Sequence, residues 1–287
     1  MKFFYTSICI LLLSSLSLAQ STSVFVAAHP DDWQLFMNPN AYHAVADSNH
    51  TVIFLHITAG DAGAAMTNNY TLAREEGSKR AIRFMVNAAW PEKRLGSSMN
   101  EQRKRVADFD ILSYTYRNTV SYFLRLPDGN VDGAGYPTHQ YKSLQKLMNG
   151  EIETIQSADG TNTFSKLDLE LVISVLIKEH HVGTDLSIHI ADTDPVINPG
   201  DHSDHLNSSK LLQQIAQSFP GCTLNLYAEY HTRTLPNNVF PKEYELSVGT
   251  WGATASGLSD FGHYSTWDEV HNSWLGKQYV RSFKVLN

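Results

Sequence analysis

Apolar residues gather in five short runs with β character: Ser23–Ala28, Thr51–Thr58, Ser121–Leu126, Asp185–Ile190 and Thr223–Ala228. Three of them are nearly continuous in apolar residues, the pattern of strands covered on both faces. Between the runs the spacing becomes helical. Leu167–His180 has apolar residues at 167, 169, 171, 172, 173, 175, 176 and 177, which predicts a well-buried helix. Leu206–Phe219 carries Leu206, Leu211, Leu212, Ile215 and Phe219 as an amphipathic stripe. Tyr70–Ala89 is a third helix, carrying Leu72, Ile82, Met85 and Val86 and stopped by Pro91. Strands alternating with helices predict an α/β fold with a mostly parallel sheet and helices on both faces. Residues 127–165, rich in Gly, Asn, Asp and Thr, read as a loop with a short helix around Lys142–Met148. The tail from Tyr230 carries prolines, glycines and many aromatics, and reads as an irregular extension or a small β addition.

Residues 1–19 have the layout of a cleavable secretory signal peptide: Lys2, an apolar centre from Ile8 to Leu13, and Ser17-Leu18-Ala19 before Gln20. The apolar stretch is short and interrupted by serines, whereas a membrane span needs roughly 20 apolar residues. The expected product is therefore secreted or periplasmic, a single domain over 20–287 with a core at about 23–230 and an extension over 231–287. No later run predicts a transmembrane helix. Cleavage removes Lys2 and Cys9, taking the formal charge from −7 to −8 and leaving Cys222 as the one thiol. That rules out an intrachain disulfide and a cysteine zinc site. The acidic balance argues against a nucleic-acid partner, which calls for a basic stripe.

The candidate chemistry lies where strands pass into helices. The first strand runs straight into His29-Pro30-Asp31-Asp32, at the strand end where open α/β sheets place ligands. A turn needs one Asp as a cap, so this cluster holds more ligands and bases than a turn requires. The second cluster, Asp201-His202-Ser203-Asp204-His205, opens the amphipathic helix at Leu206. His202 and His205, three apart in a first helical turn, can face one point. Two histidines with a carboxylate form a familiar catalytic zinc set that leaves a position for water.

Ala28-His29-Pro30-Asp31-Asp32, then Thr58-Ala59-Gly60-Asp61-Ala62-Gly63, then Arg74, then His202-Ser203-Asp204-His205 resembles the PIG-L/LmbE-like zinc-dependent N-acetylglucosaminyl deacetylases. The resemblance covers roughly residues 23–230 and implies a Rossmann-like sheet and loss of an N-acetyl group from an N-acetylglucosamine-containing molecule. It implies Zn²⁺ or another divalent ion held by His29, Asp32 and His205. It also implies Asp31 as general base, His202 as the residue that steadies the oxyanion, and Arg74 as a substrate contact. Asp61 is expected either to turn the chain or to reach substrate. Trp33 and Gly77 stand where the family commonly has Glu. On chemistry alone, the metal site serves equally a hydrolase of another amide or ester; the rival of a glycan-binding protein with a non-catalytic site is opposed by the intact His29, Asp31, Asp32, His202 and His205. His202 is expected to act as an imidazolium, its proton held by Asp31 and Asp204. His56 reads as a core histidine, His180 and His181 as a helix end, and Tyr227 and Tyr230 as core aromatics that could also stack on sugars.

Overall fold

A computed structural model describes residues 21–93, 98–183 and 185–286; the leader read from the sequence lies outside them. Among the described residues the main sheet has eight strands. These are β1 (Ser21–Ala27), β2 (His50–Thr58), β3 (Asn100–Val106), β4 (Phe109–Tyr116), β5 (Thr119–Leu126), β8 (Asp185–Ala191), β9 (Thr223–Ala228) and β10 (Tyr279–Lys284). Two short strands, β6 (Ile155–Gln156) and β7 (Thr163–Phe164), form a separate ribbon. The sheet order is β10-β9-β8-β1-β2-β5-β4-β3. The five strands from β9 to β5 are parallel, and β10, β4 and β3 add antiparallel edges. The expected mostly parallel α/β sheet is thus the one observed, and the five apolar runs are its five parallel strands.

The helices are α1 (Asp32–Phe36), α2 (Asn40–Ala46), α3 (Tyr70–Ala89), α4 (Leu144–Met148), α5 (Lys166–His180), α6 (Ser203–Ala216), α7 (Lys242–Asp260) and α8 (Glu269–Asn272). The period-two alternation of β1 feeds two cores. Val24 and Val26 join Ile188 and Ile190 under α5 and α6, whose Val172, Leu176, Leu211 and Ile215 cover that face. Phe25 and Ala27 point the other way, into a core with Trp33, Phe54, Ile82, Met85 and Trp251. Burial of both faces is why β1 and β2 read as continuous apolar runs.

The tail is more regular than its composition suggests. It holds the 19-residue α7 and the edge strand β10. Glycine, serine and threonine hide the helix in the sequence, and packing explains them. A Cβ on Gly257 would lie 2.5 Å from the backbone of Gly77, and one on Gly77 would lie 2.9 Å from the Thr254 carbonyl. Small residues on both helices let α3 and α7 cross at near backbone contact, which also accounts for glycine rather than Glu at position 77. Trp33 is fully buried, with its indole nitrogen 3.1 Å from Ser78 Oγ of α3. Strand β3 escaped the pattern because it is an exposed, charged edge, Asn-Glu-Gln-Arg-Lys-Arg-Val, with one buried residue. No helix among the described residues is long and apolar enough to cross a membrane.

Candidate metal centre and cleft

From β1 the chain winds toward β2 and β5 on one side, and from β8 toward β9 on the other. The loops leaving the carboxyl ends of β1 and β8 therefore meet at the switch point, where this architecture opens a crevice. The β1 loop brings His29, Asp31 and Asp32; the β8 loop brings Asp201, His202, Asp204 and His205.

Three ligand atoms converge there. His29 Nδ1 is 3.1 Å from His205 Nε2 and 3.5 Å from Asp32 Oδ1, and His205 Nε2 is 3.2 Å from the same Asp32 oxygen. A tetrahedral zinc with bonds of about 2.0–2.1 Å has ligand–ligand edges of about 3.3–3.4 Å, so the triangle has the size such an ion requires. The outward ring nitrogens reinforce the fit. His29 Nε2 lies 3.3 Å from Asp204 Oδ2, and His205 Nδ1 lies 2.9 Å from Asp201 Oδ1. Each outward nitrogen donates its hydrogen to a carboxylate, which leaves a lone pair on each inward nitrogen. Two lone pairs and a carboxylate oxygen facing one point repel unless a cation sits among them. The same demand for positive charge appears in the histidines. Burial alone would lower His29, yet Asp32, Asp204 and Asp128 push it up to about 10. His205 is likewise held well above its usual value, against burial, by Asp201, Asp32 and Glu229. Asp32, despite burial, is drawn well below the ordinary carboxylate range by His205 and His29. Its Oδ2 also accepts the His29 amide at 2.6 Å, which fixes the orientation of the carboxylate.

Around this triangle the cleft is lined by Asp31, Arg74, Asp128, His202, Tyr136 and Tyr230, with Tyr264, Thr266, His271 and Trp274 from the tail. Asp31 diverges from its neighbour Asp32 and pairs with Arg74, whose guanidinium also reaches the Gly60 carbonyl. Arg74 therefore faces the cleft while holding Asp31. His202 caps α6 with Nδ1, which accepts the Asp204 amide at 3.1 Å. The remaining hydrogen of the neutral ring belongs on Nε2. Burial, followed by the charges of His29 and His205, pulls the His202 imidazole far down. The imidazolium expected from the sequence is thereby corrected to a neutral donor.

Asp61 does not line the cleft. It is fully buried; Oδ1 accepts the Gly63 amide and Oδ2 lies 2.7 Å from His139 Nε2. It joins the β2 loop to the 127–165 segment, so the turning role holds and the substrate contact does not. His56 is a satisfied core histidine, stacked on Phe123 and 2.9 Å from Ser78 Oγ.

Near the triangle, Glu229 carried no signal in the sequence, and Asp128 reads there as part of the turn Arg125–Gly129, which follows a strand and could border the pocket. Glu229, after β9, places Oε2 2.6 Å from His205 Nδ1 behind the ring, and burial pushes its carboxyl up to about 8 despite the opposing pull of His205. Asp128, after β5, has its carboxylate 3.8 Å from His202 Nε2 and 3.9 Å from His29 Nε2. Both follow strands at the same sheet edge, and that position is the one clue to them.

No family model matches the chain, and no curated protein sequence matches it either. Among solved structures it is similar to the N,N'-diacetylchitobiose deacetylase from Pyrococcus horikoshii, determined in complex with its inhibitor MPG. The TM-score is 0.50 at 13% sequence identity, over 93% of this chain and 84% of that one. The likeness is one of fold, a Rossmann-like α/β sheet flanked by helices.

Proposed function

We propose that this chain is a metal-dependent N-deacetylase that releases acetate from an N-acetylglucosamine-containing molecule. The observation that carries the reading is the triangle of His29 Nδ1, Asp32 Oδ1 and His205 Nε2, backed by Asp204 and Asp201. The fold shared with a chitobiose deacetylase supports the choice of substrate. A divalent ion such as Zn²⁺ in that triangle supplies Lewis acidity and lowers the pKa of water from 15.7 toward roughly 7.

The remaining chemistry belongs to the side chains. Asp31 borders the cleft and is held in place by Arg74. Asp31 takes the proton from the attacking water and returns it to the departing amine. His202 donates from Nε2 to the carbonyl oxygen as negative charge develops there, and a donor of this kind contributes about 3–4 kcal/mol. Neutral His202 suits that task, because an imidazolium would repel a neighbouring metal ion.

The test is metal content together with acetate release from N-acetylglucosamine oligomers. The full chain should bind about one divalent ion, and His205→Ala should lose it. Asp31→Asn should keep the ion while turnover falls roughly 10²–10⁴-fold. Metal binding without acetate release from any N-acetyl sugar would leave a glycan-binding protein or a hydrolase of another amide. Unchanged metal affinity in both His29→Ala and His205→Ala would refute the centre itself.

A further inference from the structure

Resting on the N-deacetylase reading, we propose that the substrate extends past its acetylated sugar into a second cavity, where the neighbouring unit presents an anionic oxygen group, a carboxylate or a phosphate, to Arg233. The cleft over the metal triangle encloses about 380 Å³ and the second cavity about 490 Å³. Tyr230, His271 and Trp274 line both. Tyr230 and Trp274 stack with ring centres 5.2 Å apart, and the Trp274 indole nitrogen is 3.1 Å from the Tyr230 carbonyl oxygen. The two cavities thus share a fixed aromatic wall, and each lies within the usual size range of small-ligand pockets, roughly 300–1,000 Å³.

Their charges are opposite. Asp31, Asp32 and Asp128 outnumber Arg74 in the first; among the described residues no carboxylate lines the second, although the whole chain carries −7. Arg233 and His231 line it, and Lys277 Nζ donates to the Arg233 carbonyl oxygen at 2.8 Å. Asp268 is turned to His271 Nδ1, at 2.8 Å. Among the described arginines, Arg233 alone has neither a carboxylate nor an aromatic ring as side-chain partner. Arg74, Arg80, Arg83, Arg103, Arg105, Arg125 and Arg281 pair with acids, and Arg117 covers Trp90.

The turn bearing Arg233 is also pinned. It begins beside Glu229, which backs His205, and the buried Thr232 hydroxyl donates to the Glu229 carbonyl at 2.7 Å. A planar guanidinium on a held turn suits bidentate binding of a carboxylate or phosphate.

The experiment is calorimetric titration of the zinc-loaded Asp31→Asn chain. The probes are N-acetylglucosamine linked to glucuronate, its neutral glucose twin, and N-acetylglucosamine 1-phosphate. The acidic disaccharide should bind about tenfold tighter than its neutral twin. Added salt should shrink the difference, Arg233→Ala should abolish it, and Arg233→Lys should keep part of it. The tighter of the uronate and phosphate probes identifies the group. Equal binding of all three probes, no measurable binding of any, or an anion preference that survives Arg233→Ala overturns the proposal. Acetate release by the unaltered chain is scored separately. Release with equal affinities for all three probes sinks this proposal alone; an anion preference without release sinks the deacetylase reading and leaves the anion site.

Discussion

His202 shows how one backbone contact decides the chemistry of a side chain. Because Nδ1 accepts the Asp204 amide, the ring has one hydrogen to give and gives it from Nε2. His202→Ala should retain the metal and lower turnover roughly 10²–10³-fold, the scale of one lost oxyanion donor. Burial keeps the ring neutral, so its removal should leave the alkaline limb of the pH–rate profile where it was; displacement of that limb would restore the imidazolium. Two histidines away from the cleft set a different pH dependence. Burial pulls His56 down to about 4 and His189 to about 3. In the unfolded chain both titrate near 6.5. Above that pH neither state is protonated and the stability is fully present. As pH falls from 6.5 toward 4, only the unfolded chain gains these protons, at a cost of about 1.4 kcal/mol per pH unit for each ring. Urea unfolding between pH 7 and 4 should show this loss, and His56→Gln should remove the share of one ring, about 1.4 kcal/mol per pH unit. An unchanged slope in that variant would mean that His56 is not buried neutral.

At the scale of elements, the crossing of α3 and α7 makes a prediction with its own control. Gly257→Ala forces a methyl against the backbone of Gly77, and overpacking of this kind costs about 1–3 kcal/mol. Gly252→Ala on the same helix meets only the Trp267 ring, at 3.8 Å. It should be neutral, or stabilising by up to about 1 kcal/mol through helix propensity. Equal effects in thermal melts would show that the helices do not touch as described. This crossing also explains what the sequence concealed. A pattern-based reading finds helices through large apolar residues at regular spacing, and α7 packs mostly through small residues, with Trp251 and Leu258 as its buried large ones. Strand β3 was hidden for the opposite reason, being almost wholly solvated.

Taken over the whole molecule, the candidate triangle was legible because its members sit in two compact clusters at strand ends, where the α/β pattern already placed ligands. Glu229 was not, since it is a lone acid whose meaning comes from the sheet order, and Asp128 was legible only as a turn residue at a possible border of the pocket. Five strand ends converge on the cleft, and an ion held by His29, Asp32 and His205 would tie the loop after β1 to the loop after β8. Saturation at 100 times the dissociation constant contributes about 2.7 kcal/mol, or a melting shift of about 5–10 °C at 2–4 °C per kcal/mol. Chelation should lower the melting temperature by that amount in the unaltered chain and leave His205→Ala unmoved; equal melting with and without chelator would exclude a resident ion.

The place of β1 between β2 and β8 sets a timetable for synthesis. Its partner on one side follows within a few dozen residues, while β8 begins ~160 residues later, roughly 10–30 s on a translating ribosome. Through that interval β1 keeps one row of amides and carbonyls unpaired beside two apolar faces, the condition under which strands join strangers. The strand that leads into His29 is thus an apolar open edge of the nascent chain, and chains halted before residue 185 are the ones expected to need a chaperone.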